Sequence, residues 1–245
     1  MRGSPEERAA VRKSYYRMNK KEKAAYIIQY YKLPLFTAFV VLAVGISSLV
    51  HTLTKREPVL YTAYVNTVFG EDMTQKMTDD FLNDIGLDLK KNEVLVYKDL
   101  YIDEDPTLED HQYVYASKMK ILGAISAKQM DVALMNDNAF GQMSASGLLM
   151  KMDTVLKNDA QLYEDLRPYL TEGTVILEDN SVEYSLNEAD TYEAVTEQQV
   201  NAIDVSDFPI FRNAGMDGKL YVGVIGNTQR IENVRAFLAY LLNTE

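Results

Sequence analysis

The chain has 245 residues, of which 47% are hydrophobic, with no cysteine and a formal charge of −11. That length allows one domain of ordinary size plus extensions. The lack of cysteine excludes disulfides, thiolate nucleophiles and Cys-based zinc sites. The acidic balance argues against nucleic acid as a partner.

The charge is split along the chain. Residues 1–32 carry nine Lys/Arg against three Glu, whereas the remainder carries sixteen bases against thirty-three acids. Residues 1–13 are polar, and their composition predicts no fixed structure. From Ser14 the run SYYRMNKKEKAAYIIQYYK reads as a juxtamembrane helix. Ala24, Ile27, Ile28 and Tyr31 recur at helical spacing, and Tyr26, Tyr30 and Tyr31 sit where an interfacial aromatic belt would lie.

Leu33–Val50 (LPLFTAFVVLAVGISSLV) then runs eighteen residues without a charge. As a helix it would reach about 27 Å, close to the roughly 30 Å hydrocarbon core of a bilayer. Thr37, Ser47 and Ser48 can return their hydroxyls to helix carbonyls. Pro34 suits a first turn, where its missing N–H costs nothing. A cleaved signal peptide would need a shorter apolar run and a small-x-small cleavage site; SLVHTLTKRE follows instead. The basic flank is expected inside the cytoplasm, which gives a signal anchor with an extracellular C-terminal domain; an exported domain without disulfides suits a bacterial surface, so the expected location is a bacterial cytoplasmic membrane. Three segments follow: residues 1–32 cytoplasmic, 33–53 transmembrane, 54–245 extracellular.

Beyond the span the pattern alternates. Val59–Val65 reads as a strand, Glu71–Gly86 as a helix with Met77, Phe81, Leu82 and Ile85 on one stripe, and Val94–Tyr97 as a strand. An acidic loop, Asp103–Asp110, precedes a helix along which Tyr115, Met119, Leu122 and Ile125 recur. Asp131–Met135 is a strand, Ala139–Ser146 a short helix, and Leu148–Leu156 a segment lying on the core. This rhythm predicts an α/β fold with an open, mostly parallel sheet and helices on both faces. Residues 157–215 lose the rhythm, with strands expected at Thr174–Leu177 and Val182–Leu186. Lys219–Ile225 reads as a returning strand. Ile231–Leu242 reads as a closing helix with a stripe of Val234, Phe237, Leu238 and Leu241.

The run ILGAISAKQMDVALMNDNAFGQMSASGLLMKMDTVL resembles the extracellular solute-binding proteins of bacterial ABC transporters. The matching residues are Asp131–Val132, Phe140, Gly147–Leu148–Leu149 and Met152–Asp153. Tyr221–Val224, Asn227–Thr228 and the helix with Ala236–Phe237–Leu238 and Leu241 are similar to the part by which that family's chain returns to its first lobe. The resemblance implies a periplasmic-binding-protein-like lobe. Only about sixty residues are available for a second lobe, so that lobe is expected to be reduced. It also implies a membrane partner such as ABC transporter subunits and, if a cleft persists, a small polar solute.

In an open α/β sheet, ligands sit beyond the carboxyl ends of the strands. That places candidate ligand-binding residues at Asn66 and Thr67, at Tyr101 and Asp103, at Asn136, Asp137 and Asn138, and at Asn227 and Thr228. The same residue types also serve turns and helix caps. Asp103, Asp105 and Asp110 could offer oxygens to calcium, but the loop lacks the Gly and the spaced Glu of an EF-hand and reads as a solvated charge run. His51 and His111 are isolated, so no zinc pair is expected. With no G-x-S-x-G, H-E-x-x-H or G-x-x-x-x-G-K, neither an enzyme nor a cofactor is expected. The sequence therefore predicts a membrane-anchored, non-catalytic accessory subunit. Two alternatives are a scaffold or tethered sensor, and a surface hydrolase built on a carboxylate pair.

Overall fold

The computed structural model describes residues 18–23, 32–103, 111–178, 194–212 and 218–244. Two compact units divide the chain at Lys55/Arg56.

In the first unit, the Asn19 side chain accepts the Glu22 N–H at 2.9 Å and the Glu22 carboxylate accepts the Asn19 N–H at 2.9 Å. This reciprocal capping box starts a helical stretch at Lys20. The remaining residues expected in the juxtamembrane helix lie outside those described. Helix α1 (Lys32–Thr54) follows. Its Lys32–Leu49 window has a mean hydropathy of 1.8 and none of it is buried. It is long and apolar enough to cross a membrane. Thr37 returns its hydroxyl to the Pro34 carbonyl at 2.9 Å, which removes that hydroxyl's polar cost on an apolar surface.

The second unit is an α/β domain built on one six-stranded open sheet, in the order β2-β1-β3-β6-β5-β4. Its strands are β1 (Glu57–Val65), β2 (Asn92–Leu100), β3 (Val132–Met135), β4 (Leu170–Glu178), β5 (Val195–Asp204) and β6 (Tyr221–Val224). β1 pairs in parallel with β2 and β3, while the β3–β6, β5–β6 and β4–β5 pairs are antiparallel. The sheet is thus mixed rather than mostly parallel. The departure has a local cause: residues 157–215, expected to be irregular or a reduced second lobe, supply β4 and β5 to this same sheet. Long hairpin pairing satisfies backbone groups without a crossover helix. β4 contains the expected strand Thr174–Leu177. The other expected strand, Val182–Leu186, lies outside the described residues.

Between β1 and β2, helix α2 runs Glu71–Gln75, widens into a π turn over Lys76–Asp80 and ends as Phe81–Asp84. It stops at Gly86, whose φ of +75° is the left-handed conformation a helix C-cap needs. The Leu87 N–H then reaches back to the Leu82 carbonyl at 2.8 Å. Helix α3 (His111–Ser126) connects β2 to β3, and α4 (Asp137–Ala145) follows β3. Short helices α5 (Met152–Val155), α6 (Ala160–Leu166) and α7 (Pro209–Arg212) and the closing α8 (Ile231–Asn243) complete the unit.

Both faces of the sheet are covered. On one, Leu60, Tyr64, Leu134 and Val222 pack with Phe81, Leu82, Phe237 and Leu241; Phe81 meets Phe237 edge to face at 5.1 Å. On the other, Ala63, Val65, Ala133 and Met135 pack with Ile121, Ala124, Phe140 and Met143. This double burial is why β1 and β3 read as continuous apolar runs rather than alternations. The α2 and α8 stripes face the core as their spacing predicts. The α3 stripe does not: Tyr115, Met119 and Leu122 are exposed.

Candidate functional site at the carboxyl edge of the sheet

β1, β2 and β3 end at one edge of the sheet. β5 runs in the same direction, because it is antiparallel to β6, which is antiparallel to β3. That edge brings together seven of the nine candidate residues: Asn66, Thr67, Tyr101, Asp103, Asn136, Asp137 and Asn138. It also brings Asp204 from the end of β5 and Tyr221 from the start of β6.

Asn66 sits at φ +53°, which Asn tolerates better than most residues. From there its side chain acts as a backbone mimic. The Ile102 N–H donates to Asn66 Oδ1 at 2.6 Å, and Asn66 Nδ2 donates to the Ile102 carbonyl at 2.5 Å. The amide ties the β1 loop to the β2 loop. Thr67 is half-buried beside it.

A second set of bonds runs from β2 to α4. Tyr101 Oη donates to Asp103 Oδ2 at 3.0 Å, and Asn138 Nδ2 donates to Asp103 Oδ1 at 3.3 Å. Gln142 Nε2 donates to Asn138 Oδ1 at 2.6 Å. Asn136 is the N-cap of α4, accepting the Ala139 N–H at 2.9 Å. Asp137 accepts from Tyr221 Oη at 3.1 Å, and the Tyr221 ring stacks on Phe140 at 4.6 Å. Burial, and then the Asp137 carboxylate, hold the Tyr221 phenol above its ordinary pKa. Asp204 pairs with Lys219 and accepts from Ser206. Burial alone would raise its pKa, but the Lys219 ammonium and the Ser206 donors outweigh it and hold the carboxyl low. Glu197, on β5, is also held low, by its bonds to Gln199 and Lys151. An acid catalyst needs a carboxyl pushed upward; among the described residues, the Asp204 and Glu197 carboxyls are instead held down.

Asn227 and Thr228 belong elsewhere. Because β6 is antiparallel to β3, the residues after it lie at the opposite, amino edge. There Asn227 Nδ2 donates to the Ile125 carbonyl at 2.7 Å and Thr228 Oγ1 donates to Asp131 Oδ1 at 2.6 Å. Both are structural ties rather than members of the edge cluster. Thr228 thereby joins a buried charged centre that the candidate residues did not include. Asp131 is fully buried, accepts the Tyr61 N–H at 2.9 Å and pairs with Arg230 at 3.3 Å. The Arg230 guanidinium lies 4.5 Å from the centre of the Tyr61 ring. The signal was an acid placed directly before an apolar strand, which a buried position must pair.

Of the suggested calcium oxygens, Asp103 is bonded as above, while Asp105 and Asp110 lie outside the described residues. Among the described residues, no group of three or more His, Cys, Asp or Glu could hold a metal ion. The edge residues can offer hydroxyls, amides and carboxylates, but most of these groups already bond one another. Compared with protein-family models, curated proteins and solved structures, the chain has no match.

Proposed function

We propose that this chain is a single-pass, membrane-tethered accessory module of a membrane complex, with α1 crossing the bilayer and the α/β domain outside. The observation that supports this most is α1 itself. An apolar helix with none of its window buried needs lipid or another helix around it, and cationic residues (Lys32, Lys55 and Arg56) mark its two ends. Tethering replaces diffusion with a high local concentration beside a partner in the same membrane. The resemblance to solute-binding proteins makes an ABC-type transporter the first partner to test.

Within that reading, a docking or scaffolding role fits the site better than solute capture. β4 and β5 complete the sheet instead of forming a facing lobe, and the edge amides and carboxylates are engaged with one another. A captured polar solute would need several of them free.

The test is purification of the full chain in mild detergent followed by mass spectrometry. The reading expects stoichiometric membrane subunits to accompany it. A free monomer whose melting temperature rises with a polar solute would replace it with tethered capture.

A further inference from the structure

Helix α3 turns its larger apolar residues away from the sheet. It buries Ser117, Ile121 and Ala124, while Tyr115, Met119 and Leu122 are 67%, 51% and 46% exposed. At spacings i, i+4 and i+7 these three form one stripe. Beside Leu122 an open groove lies between α3 and α4, lined by Ile102, Met143 and Leu148 together with Lys118, Gln142 and Ser146. Ridge and groove form one largely apolar surface with polar residues at the groove's edge, the kind that marks a contact site.

The sequence of this helix is opposite in charge to the rest of the domain's sequence. Residues 111–130 contain Lys118, Lys120 and Lys128 and no acid, whereas the rest of residues 57–245 contains thirty-three acids and eleven bases. Lys120 Nζ sits 5.8 Å over the Tyr97 ring, which holds one of these charges next to the helix. A partner that matches both features is apolar at helical spacing and acidic at its flanks.

We propose that the outer face of α3 and its groove dock an acidic, amphipathic helical segment of a partner protein. This rests on the accessory-module reading and names the surface that reading needs. A second copy packed helix against helix would set these lysines against their own counterparts. A lipid surface would leave the groove unfilled, and the acids elsewhere on the domain would be repelled by anionic headgroups.

The experiment places a photo-crosslinking amino acid at Met119 in the full chain in its native membrane, with Glu164 on α6 as control position. The expected product forms from position 119 and not from 164. It maps to a partner segment with net negative charge and apolar residues three or four apart, and it falls at least tenfold in K120E/K128E, whose two positions are exposed. Adducts to lipid, products between two copies, or yields indifferent to the charge reversal overturn the proposal. So does the absence of a crosslink while membrane subunits still co-purify, which places the docking surface elsewhere and leaves the accessory reading standing. If no subunit co-purifies with the unaltered chain, both fail.

Discussion

Thr228 Oγ1 donates to Asp131 Oδ1 at 2.6 Å across 97 positions of sequence, and so closes the hydroxyl–carboxylate–guanidinium cluster that joins the start of β3 to the entry of α8. The carboxylate is fully buried and depends on Thr228, Arg230 and the Tyr61 N–H for the interactions that replace water. Removing the acid leaves the guanidinium and an N–H without their partner. Asp131→Ala is expected to cost about 3–5 kcal/mol, and Thr228→Val only about 1 kcal/mol, because Arg230 and the N–H remain. Urea unfolding followed by circular dichroism checks both, since the chain has no tryptophan to report by fluorescence. Equal costs would mean that Asp131 does not organise the cluster.

Gly173 on β4 lies under α4 with no room for a side chain. A Cβ there would stand 2.3 Å from Ser144 Oγ, 2.7 Å from Asn201 Oδ1 and 2.9 Å from Phe140 Cζ. Gly173→Ala is expected to destabilise by about 2–3 kcal/mol by pushing α4 off the sheet. Gly141, inside α4, has nothing within 4 Å of its built Cβ. Gly141→Ala is therefore expected to stabilise by about 0.5–1 kcal/mol through helix propensity. Thermal melts of the two variants should shift in opposite directions.

Asn66 combines a left-handed backbone with two side-chain bonds to Ile102. Asn66→Ala loses both bonds and strains the backbone, so a cost of about 2–3 kcal/mol is expected. Asn66→Gly loses the bonds but relieves the strain and should cost less. If Gly proved worse than Ala in denaturant titration, the clamp would not depend on this conformation.

Tyr64 is buried against Phe69, with ring centres 4.5 Å apart, and burial pushes its pKa up to about 12 from 10.0. A raised folded pKa favours the native state fully below pH 10, and that contribution is lost as pH climbs from 10 towards 12. Two pH units correspond to roughly 2–3 kcal/mol. Tyr64→Phe should remove this part of the alkaline destabilisation while changing stability at pH 7 by less than about 1 kcal/mol. Unfolding curves at pH 7, 10 and 11.5 give the comparison; parallel pH profiles for the two proteins would refute it.

Asp204 behaves in the opposite sense. Its carboxyl is held below the ordinary value of 3.8 despite the upward pull of burial, because Lys219 and Ser206 bind the charged form. A lowered folded pKa gives stability that is present above 3.8 and lost as pH falls through the lower folded value. Lys219→Gln should flatten that acid limb, with its effect shrinking in high salt because Lys219 is exposed. An unchanged acid limb would count against the pairing.

The sequence alone determined those parts of this protein that depend on local periodicity. The apolar run of α1, the stripes of α2 and α8, the cap at Gly86 and the strands β1 and β3 are all written in spacings of two, of three or four, or of none. The stripes and strands reflect burial on one face or on both, and the run of α1 reflects a surface that is apolar all round. The strand ends at Asn66, Asn136 and Tyr101 were legible for the same reason.

Tertiary structure decided what spacing cannot carry. The direction of β6 moved Asn227 and Thr228 to the other end of the sheet, and nothing in KLYVGVI encodes its partner's orientation. β5 went unread because VTEQQVNAID is polar along its projecting half, where its backbone pairs with β4 rather than its side chains packing in a core. The stripe on α3 was visible as a pattern. That it faces outward was settled by which residues pack under the helix, and those were Ser117, Ile121 and Ala124, between and beside the stripe.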